Sequence, residues 1–183
     1  SSAAVTKIRK YTLDLYKNLE KEVDHSAGLR LNGALSIAQT DSRWQELKRQ
    51  ATTAQLYDVN LSILNKDEIK KKYQMMSTED LKGGVFMPGD GSADPSGVTH
   101  MLAKGARRGG AKIYEQSPVE TILTKNGRVH GVRVNGQDVE CEYVVLATGM
   151  WSRQIGEKIG VSIPLYPAEH FYVITEPIEK LSP

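Results

Sequence analysis

The sequence predicts an α/β (α+β) chain in which helices alternate with strands and a β-meander feeds a layered sheet, interleaved with part of a second, mixed sheet. Three observations predict it. Apolar residues recur at helical spacing in several separate stretches. Two Asn-Gly pairs, Asn126-Gly127 and Asn135-Gly136, each sit between strand-like runs, the sequence mark of a two-residue hairpin turn. The run from Val139 to Ala147 changes partway from alternating to continuous apolarity, as a strand does when it passes from one wet face to burial on both.

The elements follow in order. Val5, Ile8, Thr12, Leu15, Leu19 and Val23 step by three and four, predicting a helix over roughly residues 5 to 24 that ends at His25 to Gly28. "GALSIAQT" reads as a short strand with Leu35 and Ile37 on one face. A second helix starts at about Asp41 and buries Trp44, Leu47, Ala51 and Ala54. Asn65 and Glu68 have capping-box spacing, with Leu64 and Ile69 placed as the hydrophobic staple, so a short helix runs to about Tyr73. "GGVFMPGDGSADPSG" is a brief strand followed by turns. Asp94 can cap the next helix and Pro95 suits its first position. Its stripe of Val98, Met101, Leu102, Gly105, Ala106 and Gly109 is half Gly or Ala, which predicts a helix lying very close to a sheet.

"KIYEQ" (112–116) reads as a strand, followed by "VETILTK", "RVHGVRV" and "QDVECEYVVLA" joined by the Asn-Gly turns. Tyr143 to Ala147 is expected to become a central strand. Ile155 and Ile159 then share a face of a short helix that Gly160 closes, and "YPAEHFYVITEP" (166–177) is a final strand with His170, Tyr172 and Ile174 on one side. The expected organisation is a helix over 1–28, two segments of one sheet domain at 29–93 and 161–183, and a second domain carrying the meander at 94–160.

Composition bounds the function. The 183 residues carry a formal net charge of +2 and no long basic block interleaved with aromatics, so a nucleic-acid partner has no support. No apolar run approaches the roughly 20 residues of a membrane span. A single cysteine, Cys141, excludes an internal disulfide. His25, His100, His130 and His170 show no ligand-pair spacing with one another or with Cys141, so no metal site is expected. "GDGSADP" superficially resembles a calcium loop but lacks its glutamate and spacing, and turn and cap explain it better.

"VVLATGMW" (144–151) carries the functional question. Ligands of open α/β sheets bind beyond the carboxyl ends of strands, and Ala147, Thr148 and Gly149 occupy that place. Their small size lets a planar or phosphorylated ligand approach the backbone, with Trp151 as a wall. A tight strand-to-helix turn with a core tryptophan explains the same residues, and spacing alone favours it.

Three stretches together, "PGDGSADPSGVTHMLAKGARRGGAKIYEQSPVETI", "VVLATGMWSRQIGEKIGVSIPL" and "EHFYVITEPIE", make the chain from about Tyr11 to Pro177 resemble the middle of the dimethylglycine and sarcosine dehydrogenases. These are FAD-dependent amine oxidoreductases of the D-amino-acid-oxidase-like superfamily. The resemblance implies a GR2-type FAD-binding layered sheet interleaved with a mixed-sheet substrate domain. It implies that Val119 meets the adenosine part of FAD through its backbone, that the dinucleotide lies along Ala147, Thr148 and Gly149, and that Trp151 is a second flavin-site residue. It further implies that Tyr172 orients an N-methyl amine and that His170 is an acid-base neighbour, two residues apart on one strand face and so about 7 Å apart. Histidine titrates near neutral pH, so His170 could keep the amine unprotonated for hydride loss.

One departure stands out. Complete members begin with a strand, a G-x-G-x-x-G turn and a helix; this chain has no such turn, and "GARRGG" closes a helix instead of opening one. The expectation is an interior segment of a longer enzyme that alone binds FAD poorly or not at all, with none of its histidines attaching the flavin. Implied beyond it are an unidentified electron acceptor, tetrahydrofolate acting through a domain outside these residues, and a mitochondrial-matrix or bacterial-cytoplasmic location without secretion. Two other readings stay open: a non-catalytic relative resembling the regulatory subunit of pyruvate dehydrogenase phosphatase, and a folate-linked partner module of the tRNA or glycine-cleavage type.

Overall fold

The computed structural model describes residues 3–176. They form two compact units, one through Ile113 and one from Tyr114 onward. Residues 177–183, where the expected final strand, the "EHFYVITEPIE" stretch and the last domain segment end, lie outside the described residues, as do residues 1–2.

The first unit joins a helix pair to a small sheet. Helix α1 (Ala3–Val23) gives way at Asp24, whose φ is 49°, and Gly28 at φ 61° redirects the chain. Helix α2 (Asp41–Gln55) is capped by Thr40, whose side chain accepts from the Arg43 N–H. Helix α3 (Lys66–Lys72) carries the expected capping box, with Asn65 Oδ1 accepting from the Glu68 N–H at 3.0 Å and Glu68 Oε2 accepting from the Asn65 N–H at 2.8 Å. Helix α4 (Pro95–Arg108) starts on Asp94, which accepts from the N–H groups of Ser96 and Gly97.

Strands β1 (Ala34–Ala38), β2 (Ser62–Leu64) and β3 (Gly83–Met87) make an antiparallel sheet in the order β1-β3-β2. One face buries Ala38 and Val85 against Leu47 and Ala51 of α2, with Trp44 and Leu61 at the margin. Leu64, Ile69 and Leu81 form a second cluster with Leu35 and Phe86, which places the α3 staple in the core. β2 has no expectation to match, because three residues are too few to show a period.

One expectation about the helices needs correction. The small-residue stripe of α4 meets α1 and not a sheet: Met101 is fully buried with Val23 and Ala27, and a Cβ on Gly105 would stand 2.9 Å from Leu19. A stripe of Gly and Ala permits close approach but does not choose the partner. In α1 the apolar face is covered only toward its end, by Tyr16, Leu19 and Val23, while Ile8 is 65% exposed. Lys104 Nζ donates to the Asp24 carbonyl at 2.9 Å and the Arg108 guanidinium to that of Glu22, so cations of α4 satisfy carbonyls that the end of α1 leaves open.

The second unit is built on the meander. Strands β4 (Val119–Lys125), β5 (Arg128–Val134) and β6 (Gln137–Glu140) pair antiparallel in sequence order. Both Asn-Gly pairs have positive φ at each residue, 52° and 73° in the first turn, 49° and 73° in the second. This left-handed pair is what a two-residue turn needs to match strand twist. Helix α5 (Ser152–Glu157) follows, and Gly160 at φ 74° lies just beyond its end.

Three expected strands are absent from the described residues. "KIYEQ" is irregular, β6 stops at Glu140, and residues 166–176 form no strand. Tyr143 and Val145 are 85% and 87% exposed, the opposite of a strand buried on both faces. The apolar runs carry strand propensity, but a strand exists only where a neighbour supplies its hydrogen bonds, and no described residues pair with these segments.

Candidate functional site

The end of the run expected as a central strand is exposed. Ala147, Thr148 and Gly149 are exposed, and the chain turns at Thr148 (φ −93°, ψ 18°) into a 3-10 turn over Gly149–Trp151. Gly149 takes φ 53°, a left-handed conformation that favours glycine, and a Cβ built there would meet no heavy atom within 4 Å. The Trp151 N–H donates to the Thr148 carbonyl at 3.1 Å, and the Ser152 N–H to the Gly149 carbonyl. The N–H groups of Thr148 and Gly149 have no acceptor among the described residues.

Val119 starts β4 and is 40% exposed; Trp151 precedes α5 and is 60% exposed. One helix relates them. Lys158, at the end of α5, donates to the carbonyl of Glu120 at 2.8 Å, the residue beside Val119. From Trp151 to Lys158 a helical rise amounts to about 10 Å, so the strand-end turn and the Val119 end of the meander flank one short helix. Ser162, Ile163, Pro164 and Leu165 with Arg153 and Glu157 line a cavity of about 200 Å³ beside this helix.

His170 and Tyr172 lie on an exposed, irregular segment, Tyr172 at 82% exposure. The structure brings neither to a partner among the described residues, and the shared strand face expected for them is not formed. Carboxylates held off their ordinary range lie elsewhere: the Arg133 guanidinium hydrogen-bonds Asp138 at 2.6 Å and holds its carboxyl below the usual range, and Arg43 does the same for Glu46. One polar group at the strand end escaped sequence reading. Ser152 is buried at 7% exposure, and its Oγ lies 2.9 Å from Thr148 Oγ1. Two hydroxyls four residues apart across a turn are its only trace in the sequence.

The chain resembles flavoenzymes in fold. It superposes on L-proline dehydrogenase from P. horikoshii with a TM-score of 0.75 at 26% identity, covering 83% of this chain and 40% of that one. Glycine oxidase from Geobacillus kaustophilus gives 0.74 at 26% identity, covering 91% and 45%. In sequence, human mitochondrial sarcosine dehydrogenase is 34% identical over 170 residues, 90% of this chain and 18% of that protein. The 4-methylaminobutanoate oxidase (formaldehyde-forming) of Paenarthrobacter nicotinovorans is 32% identical over 182 residues, 100% and 22%. The mitochondrial pyruvate dehydrogenase phosphatase regulatory subunit of mouse is 31% identical over 178 residues, 96% and 20%. The chain thus spans about a fifth of the length of these curated relatives. Residues 1–183 match the family of FAD dependent oxidoreductases called DAO, and the chain belongs to that family.

The turn at Thr148 and Gly149 suits the family's cofactor on local grounds. A flat dinucleotide needs exposed backbone donors, room where a side chain would otherwise stand, and accessible apolar surface. Thr148 and Gly149 offer the first two, and Val119 and Trp151 the third. No helix among the described residues is long and apolar enough to cross a membrane.

Proposed function

We propose that the protein takes part in oxidative removal of an N-methyl group from a methylated amino acid, sarcosine or dimethylglycine being the reference substrates. One observation carries this reading: sarcosine dehydrogenase and 4-methylaminobutanoate oxidase, both named for substrates with a methylated amine on a carboxylic acid, match 90% and 100% of the chain at 34% and 32% identity. When bound, FAD supplies the hydride acceptor, and the protein sets distance and protonation.

In this reading the dinucleotide lies along Ala147, Thr148 and Gly149, whose small side chains leave its path clear. Val119 contributes backbone and an apolar edge toward the adenosine, and Trp151 walls the site. Tyr172 orients the amine. His170 takes the ammonium proton, because a nitrogen without a free lone pair cannot stabilise the cation left by hydride loss. The N-methyl carbon loses a hydride as a C–H bond breaks, leaving an iminium. Water adds to the iminium to release formaldehyde, or tetrahydrofolate bound outside these residues captures the carbon. Reaction through a domain beyond this chain is also how a folate-linked module would operate.

A second reading has its own support. The mouse regulatory subunit is 31% identical over 96% of the chain, so the same scaffold occurs in a protein named for regulation. The deciding experiment adds sarcosine and dimethylglycine to the natural-length protein without oxygen. Loss of the oxidised-flavin absorption band on adding either amine is the expected result; a protein with no flavin band, or one that neither amine bleaches, removes the oxidative reading.

A further inference from the structure

We propose that Ser152 is a positioning residue for the flavin, acting through Thr148; this rests on the flavin reading above. Among the described residues Ser152 is the buried polar side chain, and no buried side-chain nitrogen or oxygen lacks a partner. Its Oγ is satisfied by Thr148 Oγ1 at 2.9 Å, so the pair joins the last residue before the turn to the first residue of α5. Between them the backbone takes two departures from strand geometry, at Thr148 (φ −93°, ψ 18°) and at Gly149 (φ 53°).

Among the described residues, backbone bonds from Trp151 N–H to Thr148 O and from Ser152 N–H to Gly149 O close this turn. The hydroxyl pair adds a side-chain tie across it. Without it, the Thr148 side chain loses its hydroxyl partner, and the turn that carries the Thr148 and Gly149 N–H groups, unpaired among the described residues, is held less firmly. Ser152 reaches no ligand itself, since its oxygen is buried; its effect passes through the turn. A buried hydroxyl left unpaired also carries a desolvation penalty, which couples the two residues energetically.

The test is a double-mutant cycle on the natural-length apoprotein, titrated with FAD and followed by flavin fluorescence, with the apoprotein Tm measured alongside. Ser152→Ala and Thr148→Val are each expected to weaken FAD binding about fivefold, the worth of one neutral hydrogen bond, and the double variant also about fivefold because both remove the same bond. Ser152→Thr, which keeps the hydroxyl, is expected to restore binding. A Ser152→Ala protein with a lowered Tm but unchanged FAD affinity overturns the proposal, as does a double variant whose losses multiply to about 25-fold. Thr148→Val, at an exposed position, keeps the test decisive if Ser152→Ala does not fold. Wild-type protein that takes up no FAD overturns the flavin reading and this inference with it, whereas wild-type uptake with an indifferent Ser152→Ala overturns this inference alone.

Discussion

At the scale of single residues, Trp151 has the largest side chain at the strand end and is 60% exposed, so its indole contributes little to the stability of the second unit. Exposure of that kind separates binding from folding. Trp151→Ala is expected to shift the apoprotein Tm by no more than about 2–4 °C, in line with surface substitutions of under ~0.5 kcal/mol. It should weaken FAD binding about tenfold, the value of one aromatic contact of roughly 1.4 kcal/mol. Trp151→Phe should recover part of the loss. Fluorescence titration and calorimetry read the two effects, and a Tm loss without an affinity loss would make Trp151 a packing residue. The alternatives left open by the sequence divide on this same quantity, because a core tryptophan would be covered.

At the scale of elements, the local signals were legible and the non-local ones were not. Asn65 with Glu68, Asp94 with Pro95, and both Asn-Gly pairs specify hydrogen bonds or φ values within a few residues, and each is formed. Tyr143–Ala147 and residues 166–176 carry strand composition whose outcome depends on a neighbour elsewhere, so their apolarity alone could not place them. Within the turn after Ala147, small residues were legible in the sequence, but their exposure is shared by large Tyr143 and Val145 and so does not follow from size, and the Ser152 lock depends on burial that no spacing reports. Two predictions belong here. Gly131 faces Gly-sized space in the meander, where an added Cβ would stand 2.5 Å from the Val139 carbonyl oxygen. Gly131→Ala is therefore expected to destabilise the second unit by about 1–3 kcal/mol, read by denaturant unfolding. Asp138, held below its ordinary range by its hydrogen bond with Arg133, favours the folded state above the unfolded carboxyl pKa of roughly 3.9, and that contribution is lost as pH falls through its lower folded value. The Tm gap between wild type and Asp138→Asn should be present at neutral pH and close in acid, and it should be small because both partners are about half exposed.

At the scale of the molecule, the exposed apolar residues concentrate in the second unit. Tyr143, Val145, Tyr166, Phe171, Tyr172, Val173 and Ile174 are 82–87% exposed, while Ile122 is the buried hydrophobic residue there. Large apolar side chains standing in water along strand-prone segments are a template for pairing with other chains. The first unit differs, with three buried clusters and its helix ends capped by side chains. The 183-residue polypeptide prepared by itself is thus expected to bind a hydrophobic dye and to self-associate. Proteolysis should cleave within 142–147 and 166–176 before it reaches the first unit, because cleavage follows exposed backbone that has no hydrogen-bonded partner among the described residues. In the natural-length protein the same bonds should be protected. Equal cleavage rates at 142–147 in both preparations would show that these residues stay exposed whatever surrounds them, and would remove the expectation that Tyr143 to Ala147 becomes a strand of a larger sheet.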